Sequence, residues 1–202
     1  VEGLAEAKWA ANFNGIDQGL SNGNPTSIYP WGYGDTRIHV LDFIVNAYGS
    51  LQIPFGMIYD RFGFLPSITY AGLLTMYVKD KSIVGTPYTA PVFKVEPGKI
   101  YRLEGSITVD GKFSIKVNGK QVGATFENAG TWHNGITIGR GPGGNYFNGK
   151  VLRYEIFNED KSVYHLWDFQ PTNGDRVNML KNKNEDGSVK GTLTLNPINI
   201  PG

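Results

Sequence analysis

The sequence predicts an all-β protein: an antiparallel two-sheet β-sandwich of roughly twelve strands with little helix. Apolar and polar side chains alternate along several segments, and turn-forming residues separate these segments at short intervals. No long segment has the period of an amphipathic helix. Alternation with a period of two is typical of strands that bury one face and expose the other.

The alternation is clearest between residues 100 and 157. Asp110-Gly111 and Asn118-Gly119 divide this stretch, and both dipeptides favour the positive φ that tight hairpin turns require. The apolar side chains of three predicted strands each share one parity, namely Tyr101, Leu103, Ile107 and Val109, then Phe113, Ile115 and Val117, then Leu152, Tyr154 and Ile156. We therefore expect these strands to form the centre of the sandwich.

The first predicted strand is Lys8 to Phe13, followed by a turn at Asn14 to Asp17. Thr36 to Tyr48 is a predicted strand whose almost continuous apolar run, from Ile38 to Val45, is interrupted only by His39 and Asp42. This run predicts a central strand covered on both faces. Two or three further strands are expected within Leu51 to Tyr59 and Ser67 to Lys79. A short strand is expected at Val92 to Val95. A hairpin turn at Asn158 to Lys161 leads into a strand at Val163 to Phe169, and the last predicted strand is Thr192 to Leu195.

The length of 202 residues suits one large sandwich domain. We expect residues 1–7 to be a linker or N-terminal extension and residues 8–202 to be a single domain. Because the chain begins with Val1, we also expect a processed product or a fragment of a longer protein.

Composition excludes several classes of partner and stabilising bond. The formal net charge is +1 and the basic residues are scattered, which argues against nucleic acid or an anionic membrane as partner. No apolar run reaches the roughly 18 residues that span a bilayer. The chain has 0 cysteines, so neither disulfides nor cysteine-based metal sites contribute.

Short motifs occur in a fixed order along most of the chain: residues 11–17, 112–120, 137–140, 146–151, 180–187 and 191–193. Together they resemble the strands and turns of concanavalin A-like, laminin-G-like jelly-roll domains. With its Gly- and Asn-rich loops and no cysteine, the chain is most similar to such modules in bacteriophage tail, fibre or baseplate proteins. The resemblance implies two curved sheets and recognition of glycan or protein by rim loops or the concave face.

Three Gly-punctuated loops combine aromatic with polar side chains. A sugar site needs flat apolar surface for C–H groups and amides or carboxylates for hydroxyls. The predicted ligand-binding residues are Trp31, Tyr33 and Asp35, then Trp132 and His133, then Arg140, Asn145 and Tyr146. The alternative is that these aromatic rings close the ends of the core, as Trp9 and Trp167 within strand patterns are expected to do.

No cofactor is expected, and calcium is left open. Asn182, Asn184 and Asp186 occupy alternate places of a calcium-loop pattern, but Leu193 stands where the bidentate Glu belongs. Laminin-G-like modules often bind calcium at a sheet rim through Asp and Asn. The resemblance therefore adds further metal candidates: Asp17, Asp35 and Asp175.

Residues 139–144 match the glycine spacing of a dinucleotide-binding loop. Such a site needs a helix whose N-terminus holds the pyrophosphate. Here Pro142 and a predicted strand follow, so we interpret the run as a surface loop.

Catalytic motifs are incomplete, and we predict a protein that is not an enzyme. The sequence lacks the E-x-D-x-x-E run of jelly-roll glucanases and the G-x-S-x-G elbow. Arg37-Ile38-His39 only partly matches the Gln-Ile-His of jelly-roll alginate lyases. His39 and His165 lie on predicted strands, where structural histidines are the usual finding.

The sequence favours a non-catalytic module that recognises a host-surface glycan as part of a phage virion protein. One alternative is a structural or decoration protein that contacts other virion subunits, with homo-oligomers left open. A second is a polysaccharide-cleaving jelly-roll enzyme, which predicts a groove with paired carboxyls or a His-Tyr pair around His39. The expected location is the virion, or alternatively a secreted or cell-surface bacterial protein.

Overall fold

The computed structural model describes residues 9–21, 37–57, 65–78, 88–108, 112–123, 136–141, 145–168, 181–183, 189–192 and 195–197. All regular elements among these residues are β-strands, and none of them contains a helix able to cross a membrane. The predicted linker, residues 1–7, lies outside the described residues.

The described residues form sixteen strand segments. Six of these have only two or three residues, which is why the alternation pattern predicted fewer strands. The segments are β1 Trp9–Asn14, β2 Leu20–Ser21, β3 Arg37–Val45, β4 Phe55–Met57, β5 Leu65–Ile68, β6 Leu73–Val78, β7 Tyr88–Lys94, β8 Ile100–Ile107, β9 Phe113–Val117, β10 Lys120–Gln121, β11 Ile136–Ile138, β12 Asn148–Asn158, β13 Val163–Asp168, β14 Lys181–Lys183, β15 Val189–Thr192 and β16 Leu195–Pro197.

The first layer is one antiparallel sheet of eight strands in the order β10-β9-β8-β3-β12-β1-β16, with β13 pairing the second half of β12. Strand β3 lies between β8 and β12, and residues 41–45 are all buried. The prediction of a central strand is therefore confirmed, with residues 41–45 buried on both faces and Ile38 and Val40 partly exposed. His39 and Asp42, which interrupt its apolar run, are buried as well, at 1% exposure each.

The second layer consists of three smaller antiparallel sheets, β2-β11-β4, β5-β6-β7 and β14-β15. Gln52 and Ile68 exchange two backbone hydrogen bonds of 2.9 and 2.7 Å, which join the approach to β4 to the end of β5. Strand β14 lies beside β2. The two layers confirm the predicted all-β sandwich of jelly-roll type.

Aromatic rings fill the space between the layers. The Phe147 ring lies 6.4 Å from the ring of Phe13 and 6.2 Å from that of Phe43. Tyr101 on β8 contacts Phe93 on β7 edge to face at 5.6 Å, so these rings connect the two layers. Such tilted and edge-to-face pairs are the favoured geometries of buried aromatic rings.

Strand β12 contains a β-bulge at Leu152. Val151 pairs with Phe43, and Arg153 pairs with the adjacent Asp42, so Leu152 is an extra residue between them. Because side chains alternate along a strand, the extra residue changes which side chains face the core. After the bulge, Tyr154 faces the second layer.

Two predicted turns are confirmed. Asn118 and Gly119 have φ values of 50° and 80°, as a tight hairpin requires. At residues 158–161, Asn158 N donates to Ser162 O at 2.9 Å and closes the hairpin between β12 and β13. The third predicted turn, Asp110-Gly111, lies outside the described residues.

Candidate functional site

The large sheet has an outer face, directed away from the second layer. Even-numbered residues of β3 and β8 and odd-numbered residues of β12 beyond the bulge lie on it, because their neighbours in sequence face the core. A shallow hollow of about 240 Å³ opens there. This outer-face hollow is lined by Val40, Asp42, Arg102, Glu104, Arg153, Glu155 and Phe157.

Asp42 and Arg102 form the base of the outer-face hollow. The two residues are direct neighbours across β3 and β8. Arg102 Nε donates to Asp42 Oδ1 and Arg102 Nη2 donates to Asp42 Oδ2, both at 2.7 Å. The Asp42 side chain is 2% exposed and that of Arg102 is 22% exposed. This bidentate pair holds the guanidinium plane in one orientation.

The pKa of Arg102 is raised from its ordinary value. The hydrogen bond from Arg102 to the Asp42 carboxylate is the largest cause, and burial opposes it. The negative charges of Asp42, Glu155 and Glu104 raise the pKa further. Arg102 is therefore a permanent cation surrounded by three carboxylates.

Two further ion pairs involve residues of the lining, one of them with Lys116, which lies outside the lining. Arg153 Nε contacts Glu155 Oε1 on the same strand, and the Glu155 side chain is 7% exposed. Lys116 Nζ on β9 lies 3.2 Å from Glu104 Oε1 on β8. Positive and negative groups thus lie side by side across four adjacent strands, β9, β8, β3 and β12, and each forms an ion pair with a side chain of opposite charge.

His39 faces the opposite side of the sheet. Its Nδ1 contacts the hydroxyl of Tyr154, and the two residues are 1% and 0% exposed. A His-Tyr pair around His39, which the enzyme hypothesis predicts, is therefore present but enclosed between the layers. The structure thus places His39 in the core, and its structural role stays a prediction. The side chain of His165 is outside the described set.

Arg140 and Tyr146 are brought together by the hairpin between β11 and β12. They pair directly, between backbone hydrogen bonds from Gly141 N to Asn145 O at 3.1 Å and from Phe147 N to Gly139 O at 2.8 Å. Such a pair has closely spaced side chains on one face. Arg140, Asn145 and Tyr146 are each half-buried, so these three predicted ligand residues are partly accessible.

The other predicted ligand residues, Trp31, Tyr33, Asp35, Trp132 and His133, lie outside the described residues. At one end of β3, Arg37 follows the predicted loop that contains Asp35 and pairs with Asn158. At the other end, Val45 pairs with Gly149, which follows the hairpin that contains Arg140 and Tyr146. The nine residues of β3 span about 26 Å. A site shared by all three loops stays a prediction.

The structure places one predicted metal candidate, Asp17, in a hydrogen-bonded turn. Asp17 Oδ1 accepts a hydrogen bond of 2.8 Å from Asn14 Nδ2, and Asn14 Oδ1 accepts from the backbone N of Ile16 at 2.9 Å. Nowhere in the described part of the chain do three His, Cys, Asp or Glu side chains converge on a metal position.

The other metal candidates remain predictions. Asp35, Asp175, Asn184 and Asp186 lie outside the described residues, and Asn182 belongs to β14. The glycine run at residues 139–144 leads into strand β12, so the helix N-terminus that a dinucleotide site requires does not follow it.

The outer-face hollow is not evident from the sequence. Asp42 interrupts an apolar strand, and this is the available signal, because a charge in a central strand needs a partner of opposite charge. The partner, Arg102, lies 60 positions away in sequence. The contribution of Arg153 and Glu155 depends on the bulge in β12, which the alternation pattern does not reveal.

No family model matches the sequence, and no curated protein matches it either. Solved structures do share the fold. A Bacteroides ovatus protein described as a candidate carbohydrate-binding protein superposes with a TM-score of 0.60 at 16% identity, covering 96% of this chain and 61% of that one. This chain thus spans about three-fifths of that protein's length.

Two further solved structures share the fold. Domains LG4-5 of the mouse laminin α1 chain give a TM-score of 0.54 at 14% identity, covering 81% of this chain and 45% of that one. A pentraxin from Limulus polyphemus, described as a native heptamer, gives 0.51 at 16% identity, covering 94% and 92%. At such low identity these likenesses show the jelly-roll sandwich fold and nothing finer.

Proposed function

We propose that this protein is a non-catalytic binding module whose outer-face hollow holds one sugar residue of a glycan. The observation that carries the proposal is the lining of the hollow, where fixed ion pairs lie beside the ring of Phe157. Its volume of about 240 Å³ is below the roughly 300–1,000 Å³ of pockets for drug-sized ligands. One ring of a longer chain fits this size.

The chemistry of the hollow suits a polyhydroxylated ligand. Carboxylate oxygens accept hydrogen bonds from hydroxyl groups, and guanidinium N–H groups donate to them. The apolar faces of Val40 and Phe157 match the C–H surface of a sugar ring. Because ion pairs already fix the charged side chains, binding sacrifices little side-chain freedom.

The pair Arg140 and Tyr146 supports a second contact with glycan, as the sequence predicts. A shallow hollow binds weakly by itself, so several copies of the domain would provide avidity. This requirement is in keeping with the predicted setting on a phage particle, or alternatively on a secreted or cell-surface bacterial protein, where the domain occurs in multiple copies. The sequence resemblance supports that setting, and the parent gene with its neighbours would test it.

The test is a glycan array followed by titration calorimetry on the best-bound glycan. Glu104→Ala removes a carboxylate that lines the hollow and is 31% exposed, and should weaken binding at least about tenfold. Glu96→Ala is the matched control, because Glu96 is also ion-paired, with Lys99, but does not line the hollow. Equal losses in both variants would contradict the assignment of the site.

Two competing functions predict different outcomes of the same experiment. A structural protein that joins virion subunits would bind no glycan on the array. A polysaccharide-cleaving enzyme is favoured by one observation, the three carboxylates of Asp42, Glu104 and Glu155 in one hollow. It would release reducing ends or unsaturated products from the bound glycan, and an assay for these products separates it from a binding module.

A further inference from the structure

We infer that the outer-face hollow selects uncharged glycans and rejects acidic ones, an inference that rests on the proposed glycan-binding function. The lining contains three carboxylates, from Asp42, Glu104 and Glu155, against the two guanidinium groups of Arg102 and Arg153. The lining therefore has an excess of one negative charge. Lys116, at the edge, neutralises at most this excess through its contact with Glu104.

The guanidinium groups are already bound to protein carboxylates. Arg102 is held by two hydrogen bonds to Asp42. Arg153 forms an ion pair with Glu155, although its buried Nε makes no hydrogen bond. A sugar carboxylate or sulfate would have to compete for these groups. If it displaced Asp42, a carboxylate that is 2% exposed would lose its compensating charge. Both guanidinium groups of the hollow are thus already ion-paired, so an anionic ligand gains little binding free energy from them.

An anionic ligand would also be repelled. Glu104 and Glu155 are both close enough to Arg102 to interact with its charge. Their carboxylates would therefore also interact with an anionic group bound at the Arg102 guanidinium, and would repel it. Hydroxyl groups face no such penalty, because they donate to the carboxylates and accept from the guanidinium groups without adding charge. A neutral hexose can therefore hydrogen-bond to both the carboxylates and the guanidinium groups. The carboxylate of a uronic acid can bind the guanidinium groups but is repelled by the carboxylates of the hollow.

The experiment compares neutral oligosaccharides with their C6-oxidised counterparts, in which a carboxylate replaces the primary alcohol. Cello-oligosaccharides with oxidised cello-oligosaccharides, and mannan with polymannuronate, are suitable pairs. We expect the 202-residue chain to bind the neutral member at least about tenfold more tightly at low salt. This preference should shrink at high salt, because salt screens the repulsion of the oxidised member. Glu104→Gln should reduce this preference about fivefold, since removing one nearby charge changes the repulsion by that order.

Glu96→Gln is the control and should leave the preference unchanged, because Glu96 does not line the hollow. Thermal melts of both variants confirm that each is folded. Equal or tighter binding of the oxidised member would overturn the inference while leaving the proposed function intact. Absence of binding to every glycan on the array would overturn both.

Discussion

Asp42 is the residue on which the outer face depends. A carboxylate in a central strand is unfavourable unless a cation compensates it, and the two 2.7 Å hydrogen bonds from Arg102 provide that compensation. Neither side chain is favourable at this position without the other, because each would then be a charge without its partner. Its value for recognition is that the guanidinium group is fixed before a ligand arrives.

Replacing Arg102 alone should be strongly destabilising. Arg102→Met leaves the Asp42 carboxylate buried without its cation, and we expect a loss of about 3–5 kcal/mol in the free energy of unfolding. The double variant Asp42→Leu with Arg102→Met should recover most of that loss, since it buries no charge. Urea denaturation of the wild type, both single variants and the double variant measures the coupling. Additive losses would contradict the pairing.

Gly139 lies at a position where only glycine fits without strain. Its φ is +81°, and a Cβ would lie 2.1 Å from the ring of Phe13. Gly139→Ala combines left-handed backbone strain with overpacking and should cost about 2–5 kcal/mol. Gly119→Ala is the matched control, because Gly119 has a φ of +80° and open space around it, so only the backbone cost of about 1–2 kcal/mol remains. Thermal or urea unfolding distinguishes the two.

At the scale of elements, the hairpin between β12 and β13 has a pH-sensitive turn. Asp160 Oδ1 accepts hydrogen bonds from Ser162 Oγ at 2.5 Å and from Ser162 N at 2.9 Å. These bonds lower the pKa of Asp160 from its ordinary value of 3.8, the hydroxyl bond being the larger cause. A lowered pKa means that the stabilisation is complete above pH 3.8 and is lost as pH falls through the lower, folded-state value.

Asp160→Ala should therefore lower the melting temperature at neutral pH, and the difference from wild type should shrink at pH well below 3.8. Scanning calorimetry across this range measures it. Ser162→Ala removes the hydroxyl donor to the same carboxylate and should reproduce part of the effect. A difference that stays constant from neutral to acidic pH would contradict the role of the ionised carboxylate.

The elements that the sequence predicts best are those fixed by local chemistry. Strands β3, β8 and β9 follow from alternation, and the turn at Asn118-Gly119 follows from its tolerance of positive φ. The outer-face hollow was not predictable in the same way. It requires the register of β3 against β8 and β12, which is a property of pairing between distant segments, and the bulge at Leu152 shifts that register by one residue. The predicted rim residues were only partly testable, since of these only Arg140, Asn145 and Tyr146 are described.

At the scale of the whole molecule, a small group of rings connects the two layers. Phe147 is fully buried and lies next to Phe13 and Phe43 of the large sheet. Its backbone N donates to Gly139 O, next to β11 of the second layer, at 2.8 Å. Without cysteine, the layers depend on such packing and on the hydrogen bonds between strands.

Phe147→Ala should destabilise the protein by about 3–5 kcal/mol, through lost burial and the cavity left between the layers. Tyr70→Ala is the control, because Tyr70 is 78% exposed and its truncation should change stability by at most about 0.5 kcal/mol. Both variants remove one aromatic ring, so only its location differs. Chemical denaturation with an unchanged m-value would show that the loss is in the native state.

The length of strand β12 beyond its bulge restricts how this chain can change over time. Deleting the unpaired Leu152 would leave Arg153 opposite Asp42, with Glu155 still directed outwards and Tyr154 still in the core. Deleting a residue between Arg153 and Phe157 would instead turn every later side chain on the strand to the opposite face. Point substitutions at the outward positions have no such effect. We therefore expect descendants of this gene to diversify their binding preferences by replacing residues on β12 while conserving its length beyond the bulge.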